Sequence, residues 1–322
     1  MRRKPTIAIC YDFDGTLSPG NMQEYGFFYG LEPKERKTFW AESTQMAKEH
    51  QADGILMYMR LMLRKADQDK RLKTTKSAFK AYGKSIELYP GVETWFSRIN
   101  EYGRKCGVKI EHYIVSSGLK EMIEGTKIAH YFTGIYACSF LYDNNDVAVW
   151  PAQAINYTTK TQFLFRINKG IKDLSDDTSI NQYVAPDERP VPFSRIIYIG
   201  DGETDIPCMK LVKEQGGYSI AVFNPKKVQK KKVSERLKRE HRVNFCIPAD
   251  YSTDSKIEEV IKCIIDKMAS EWQLQIASKS GHRKCGASTK IVPSTVPVPS
   301  ASGGNVETER KVEDKTSLAR YQ

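Results

Sequence analysis

Residues 6–17 read TIAICYDFDGTL. Thr6 to Tyr11 is a short apolar run rich in β-formers, so it predicts a buried strand feeding a loop. The loop opens with Asp12-Phe13-Asp14-Gly15. Two carboxylates at i and i+2 beyond a strand can share one small site. One can serve as nucleophile and metal ligand while the other shuttles a proton. Gly15 permits a sharp turn away from the strand. A calcium loop can also contain DxDG, but it needs further oxygen ligands over about 12 residues and a closing Glu. Leu17, Pro19 and Gln23 stand where those ligands would fall, which excludes that reading.

Outward from this motif, strand-like and helix-like stretches alternate. Glu32–Glu49 and Gly54–Lys65 read as helices, and the methionines of the second read as core filler. Pro90-Gly91 marks a turn before a helix from Val92 to Cys106. Strands are expected at His112–Val115, Ile135–Phe140, Arg195–Ile199, Tyr218–Phe223 and Asn244–Ile247. Helices are expected from Leu119 and over Lys160–Asn168, Pro207–Gln215 and Asp254–Gln275. This alternation implies right-handed βαβ crossovers and a largely parallel sheet. Ligands in such sheets bind beyond the C-terminal strand ends, so functional residues should follow the apolar runs.

Three further motifs do follow them. HYIVSSGL places Ser116 and Ser117 just past a strand, where a hydroxyl and backbone N–H groups suit an anionic oxygen. Such a Ser-Ser-Gly is also compatible with a plain turn or N-cap. NYTTKTQFLF places Lys160 in a first helical turn behind two threonines that offer an N-cap. The helix macrodipole disfavours a cation there unless it faces a phosphate or a carboxylate cluster. IIYIGDGETD places Asp201 and Asp205 after another strand. With Asp12 and Asp14 close by, four carboxylates would repel strongly unless a divalent cation held them, and oxygen-only ligands favour Mg²⁺.

Taken in order, DxDGT, apolar run-Ser, Lys and GDGxxD, the chain resembles the haloacid dehalogenase-like (HAD) phosphohydrolase superfamily, nearest to its phosphoserine phosphatase-like branch. The resemblance covers roughly residues 6–270. It implies an α/β fold, a Rossmann-like parallel-sheet core with a small inserted α-helical cap. About 100 residues separate Asp14 from Ser116, against 44 between Ser116 and Lys160. The larger gap is where this branch inserts its cap. The expected organisation is core over 1–20, cap over 21–87, core again over 88–278, and a disordered tail over 279–322. The cap hinges would be Ser18–Asn21 and Leu88–Gly91.

The resemblance implies a Mg²⁺-dependent phosphatase acting on a small phosphorylated metabolite. Asp12 would be the nucleophile that becomes an aspartyl phosphate, and Asp14 the general acid/base. Ser116, or alternatively Ser117, and Lys160, or alternatively Lys169, would bind phosphoryl oxygens. Asp12, the backbone carbonyl of Asp14, and Asp201 would hold Mg²⁺, with Asp205 supporting them. Phosphoserine phosphatases usually carry a glutamate nine residues after the nucleophile, for the substrate ammonium. Here Asn21 stands there and Glu24 is one turn further, which puts phosphoserine itself in doubt. Cap arginines Arg60 and Arg64 are candidates to face the leaving group. The alternatives are phosphotransfer to a second substrate, and a non-catalytic HAD-fold binding protein.

That last alternative draws on charge. The 322-residue chain carries 50 Lys+Arg against 39 Asp+Glu. Residues 225–242, PKKVQKKKVSERLKREHR, hold nine basic and two acidic side chains. Such a run can attract anions, or simply be a solvated helix face. No aromatic residue interrupts it to stack on bases, which argues against nucleic acid. Hydrophobic residues at 40% suffice for a core, and no apolar run approaches the roughly 20 residues of a membrane span. Seven scattered cysteines without CxxC pairs read as free thiols in a reducing cytoplasm. The composition after Lys279, rich in Ser, Thr, Pro and Gly, predicts a tail that cannot offset the entropy of ordering. Nothing in the sequence fixes an oligomeric state.

Overall fold

The structure, a computed structural model, describes residues 4–285. β1 (Thr6–Tyr11) buries every side chain from Ile7 to Tyr11 and therefore needs cover on both faces. It lies inside a seven-stranded sheet of order β4-β3-β2-β1-β5-β6-β7. Its neighbours are β2 (Lys109–Leu119) and β5 (Ile196–Gly200), both parallel to it. Tyr11 pairs with Ile114 on one side and Ile199 on the other, which brings three strand ends to one level. β6 (Tyr218–Phe223) and β7 (Phe245–Pro248) extend the parallel part. β3 (Phe132–Tyr142) pairs parallel with β2, and β4 (Ala148–Gln153) returns antiparallel against β3. The sequence reading lacked β4. Its Pro151 argues against a central strand, but β4 is an edge, where a missing N–H is tolerated.

Between β1 and β2 the chain inserts α1 (Pro33–Glu49), α2 (Gly54–Gln68) and α3 (Lys76–Gly83). α4 (Val92–Lys105) then buries Val92, Trp95, Phe96 and Ile99, a helical stripe that packs on β2. The insertion starts and ends at one place, because Tyr89 N–H donates to the Leu17 carbonyl at 2.9 Å. α2 begins at Asp53, whose carboxylate accepts from the backbone N–H groups of Ile55 and Leu56. α3 packs closely on α5 (Lys120–Glu124): a Cβ at Gly83 would sit 2.0 Å from the Met122 carbonyl oxygen. Phe79 of α3 also stacks on Phe140 of β3 at 5.5 Å.

Lys160 begins α6 (Lys160–Lys169). α7 (Ile206–Glu214) covers β5 and β6, and the basic run forms α8 (Val228–Arg239). α9 (Lys256–Cys285) continues past Lys279, where the tail was expected to start. No proline occurs between Lys279 and Cys285 to stop it. The remainder of the expected tail, 286–322, lies outside the described residues. Among the described residues no helix is long and apolar enough to cross a membrane. Cys10, Cys106, Cys138, Cys208, Cys246 and Cys263 are free thiols.

Beneath the site, a buried hydrogen-bond chain ties α4 to the central strands. Trp95 Nε1 donates to Tyr11 Oη at 2.9 Å, Tyr11 Oη meets His112 Nδ1 at 3.0 Å, and His112 Nε2 meets Asn100 Oδ1 at 3.2 Å. The indole can only donate, so the chain runs Trp95 to Tyr11 to His112 to Asn100, with the His112 proton on Nε2. Burial pushes the His112 pKa down from 6.5 to about 3, keeping the ring neutral. The unfolded chain therefore binds a proton below about pH 6.5 that the folded chain refuses, so stability falls as pH falls through that window. Between pH 7 and pH 5 the wild type should lose about 2 kcal/mol more stability than His112→Asn. Urea melts at the two pH values test this, and equal losses would refute it.

Candidate active site

The ends of β1, β2 and β5 supply the site. Asp12 follows β1, and its N–H donates to the Ile199 carbonyl at 2.9 Å, locking it beside β5. The next turn is tight: Phe13 O accepts from the N–H groups of Thr16, Leu17 and Ser18. Gly15 sits in the left-handed region at φ 78°. A Cβ there would fall 2.2 Å from Asp201 Oδ2, so any side chain would collide with the acid after β5. The glycine of DxDG thus serves both the turn and the approach of the two acidic loops.

Asp12, Asp201 and Asp205 are buried, and one oxygen from each lies within 4.8 Å of the others. Lys160, wholly buried, places Nζ 2.7 Å from Asp205 Oδ1 and 3.2 Å from Asp12 Oδ1. Asp205 also accepts from Tyr198 Oη at 2.8 Å and from the Gly202 N–H at 3.3 Å. It does not line the cleft, so it supports the site from behind. Asp14 is turned the other way: its Oδ1 accepts from the Met22 N–H at 3.0 Å, at the root of the helical insertion.

The electrostatics follow from burying several carboxylates and one ammonium side by side. Burial raises the Asp12 pKa to about 7, with Asp205 and Asp201 adding to the rise against the opposing pull of Lys160. Burial and then the Asp12 charge hold Asp14 well above the usual carboxylate range. Burial alone would lower the Lys160 pKa, but Asp12 and Asp205 more than offset it and hold it above its ordinary value. Asp12, Asp201 and Asp205 form a hard, all-oxygen donor set that fits a divalent cation such as Mg²⁺.

Lys160 reaches this cluster through an arrangement different from the expected threonine cap. Thr159 is itself helical in φ and ψ and caps nothing with its side chain. Asn156 organises the turn instead, its Oδ1 accepting from the N–H groups of Thr158 and Thr159. Lys169 is elsewhere: its Nζ bonds the carbonyls of Ile180 and Gln182 and ties down the surface loop of residues 170–192.

Ser116 and Ser117 also differ from a helix start. β2 continues to Leu119 through an irregularity after Val115, and α5 is only a short helix beyond it. Ser116 Oγ accepts from the Gly118 N–H at 3.1 Å. Ser117 Oγ is buried with no protein partner, and both serines line the cleft.

The cleft has a volume of about 510 Å³ and runs from Asp12, Asp14 and Asp201 out to the insertion. Asn21 and Glu24 line it, but Asn21 serves Glu24: its Nδ2 donates to Glu24 Oε1 at 2.7 Å. Trp40 Nε1 donates to the same oxygen at 2.9 Å. Arg60 and Arg64 do not reach the cleft. On α2 the cleft-facing residues are Ile55 and Tyr58, and at about 100° per residue Arg60 and Arg64 fall on the opposite side. Arg64 pairs with Glu42 there. Sequence reasoning did not single out Trp40, Tyr58, Tyr89 or Gln23 as cleft residues. It also missed that Lys227, in the basic run, lines the rim.

A parallel sheet with acids beyond β1 and β5 and a buried lysine at a helix start defines a hydrolase core of one recognisable type. Residues 9–210 match the family model of the haloacid dehalogenase-like hydrolases, and the chain belongs to that family. An uncharacterized protein of Borreliella burgdorferi is 27% identical over 282 residues, covering 79% of this chain and 95% of that one. A HAD family hydrolase of Salmonella enterica serovar Typhi aligns with TM-score 0.47 and 19% identity, over 77% of this chain and 69% of its own. A substrate-bound phosphoserine phosphatase aligns with TM-score 0.46 and 18% identity, over 81% and 99%.

Proposed function

We propose that this chain is a Mg²⁺-dependent phosphatase of the phosphoserine phosphatase-like branch, acting on a small phosphorylated metabolite through an aspartyl phosphate. The observation that carries the reading is the buried ammonium of Lys160 set between Asp205 and Asp12, the latter an acid that itself lines the open cleft. A cation in a first helical turn is otherwise unfavourable, and its contact with Asp12 supports a role beside the transferring phosphoryl group.

Asp12 attacks phosphorus, forming an Oδ–P bond as the bond from phosphorus to the ester oxygen breaks. Asp14 gives its proton to that leaving oxygen. A water then attacks the phosphorus and yields a proton to Asp14, the Oδ–P bond breaks, and inorganic phosphate leaves with Asp12 restored. Ser116, with Ser117 beside it, and Lys160 bind the phosphoryl oxygens. Asp12, the Asp14 carbonyl and Asp201 would hold Mg²⁺, with Asp205 behind them. Bound there, the ion offsets the charge that would keep an anionic carboxylate from an anionic phosphoryl group. Residues 21–87 form the cap that selects the substrate, with Glu24 braced by Asn21 and Trp40 toward the leaving group.

The test is hydrolysis of p-nitrophenyl phosphate by the purified full chain. Activity should vanish in excess EDTA and return with added Mg²⁺. Full activity after exhaustive chelation would overturn the metal assignment, and no activity with Mg²⁺ on any of a panel of phosphate esters would overturn the phosphatase reading.

A further inference from the structure

Asn156 spends all but one of its polar groups on one task. Its side-chain Oδ1 accepts from Thr158 N–H at 3.0 Å, Thr159 N–H at 2.9 Å and Thr158 Oγ1 at 2.8 Å. Its N–H donates to Thr159 Oγ1 at 2.8 Å, and its carbonyl accepts from the Lys160 N–H at 3.0 Å. These bonds fix the turn that aims Lys160 at Asp12 and Asp205. The remaining group, Nδ2, donates to Asp53 Oδ2 at 2.7 Å. Asp53 belongs to the insertion, where its other oxygen caps α2. One turn further along, Tyr58 Oη donates to the Ser117 carbonyl at 2.8 Å. A single helix of the cap therefore grips both elements that would hold the phosphoryl group: the Lys160 turn and the end of β2.

Resting on the phosphatase reading above, we infer that Asp53 and Asn156 are positioning residues that couple the seating of α2 to the placement of Lys160. With α2 seated, the Asp53 carboxylate orients the Asn156 amide, and the amide holds the Lys160 turn. With α2 displaced, the amide loses the bond that braces Nδ2, the Lys160 turn is held by the Oδ1 contacts alone, and Lys160 is aimed less tightly. A displacement of about 1 Å at such a group can cost around a hundredfold in rate. The bond lies outside the cleft, so its effect passes through Lys160 and not through contact with substrate.

Asp53→Asn isolates the contact. Asn caps a helix as well as Asp does, so Oδ1 keeps the Ile55 and Leu56 N–H groups. The new amide would face the Asn156 amide, donor against donor. Asn156→Asp keeps an acceptor for Thr158 and Thr159 and sets carboxylate against carboxylate. The double variant restores the bond with its direction reversed. Each single variant should lower kcat/KM for p-nitrophenyl phosphate with Mg²⁺ by about tenfold or more. Competitive inhibition by inorganic phosphate should weaken in parallel, and the double variant should recover most of both. A purely structural contact would lower Tm and leave kcat/KM and phosphate inhibition of the folded protein at wild-type values. That pattern, or a double variant no better than the single ones, would overturn the coupling. An inactive wild type would overturn the phosphatase reading and this inference with it. An active wild type matched by Asp53→Asn would sink the coupling alone.

Discussion

Asp12→Asn should abolish turnover and leave a protein at least as stable as the wild type. The amide is nearly isosteric and can still accept from the Phe13 N–H, which now reaches Asp12 Oδ1 at 2.8 Å. It is far too weak a nucleophile to form an acyl phosphate, so kcat should fall by about ten-thousand-fold or more. Stability should move the opposite way. Without metal, burial and the charges of Asp205 and Asp201 hold the Asp12 pKa at about 7. A carboxyl raised in the folded state favours folding while protonated, and that contribution is lost as pH rises through about 7. Removing the charge should therefore raise Tm of the metal-free protein, more at pH 8 than at pH 5. Kinetics and melting curves on the same preparations check both halves. Residual activity within tenfold of wild type would refute the nucleophile, and a lower Tm at pH 8 would refute the buried-charge account of the site.

Much of this site is legible in the sequence because its parts are local. Each acid or hydroxyl directly follows an apolar β-run, and the strand end both builds the sheet and places the group. Lys160 is legible for a related reason, since a lysine in a first helical turn conflicts with the macrodipole and demands a partner. The illegible parts depend on long-range packing. Asn156 is an ordinary polar residue until Asp53, a hundred positions away in the chain, is brought against it. Trp40 belongs to no motif in the sequence, and only the fold shows its indole bracing Glu24. Arg60 and Arg64 read from charge alone as candidates to face the leaving group, but the rotation of α2 about its axis turns them away. β4 escaped notice because Pro151 is disfavoured in strands, and its edge position emerges only from the order of the sheet. Charge and composition identified α8 as basic without indicating that Lys227, at its N-cap, borders the cleft.

Lys160→Met should impair both folding and chemistry, in a way that separates its two roles. The methionine keeps much of the apolar volume of the lysine stem but leaves Asp12 and Asp205 without their shared ammonium. Removing one partner from a buried charge group costs about 3–5 kcal/mol, because the remaining charges stay desolvated. Asp205 keeps the Tyr198 hydroxyl and the Gly202 N–H, which moderates the loss. Millimolar Mg²⁺ should recover part of the stability, since a divalent cation can neutralise the same carboxylates. It should not recover catalysis, because the proposed role of the ammonium is to meet charge on the transferring phosphoryl oxygens. Loss of such a donor costs about a hundredfold to a thousandfold in rate. Lys169→Met supplies the comparison. Lys169 bonds only the carbonyls of Ile180 and Gln182, so its loss should loosen the surface loop and leave kcat/KM within about threefold, a change under ~1 kcal/mol. If Lys160→Met with Mg²⁺ hydrolyses p-nitrophenyl phosphate at wild-type rates, Lys160 is a structural counter-ion alone. If Lys169→Met is the variant that loses activity, the phosphate-binding lysine lies at the other end of α6.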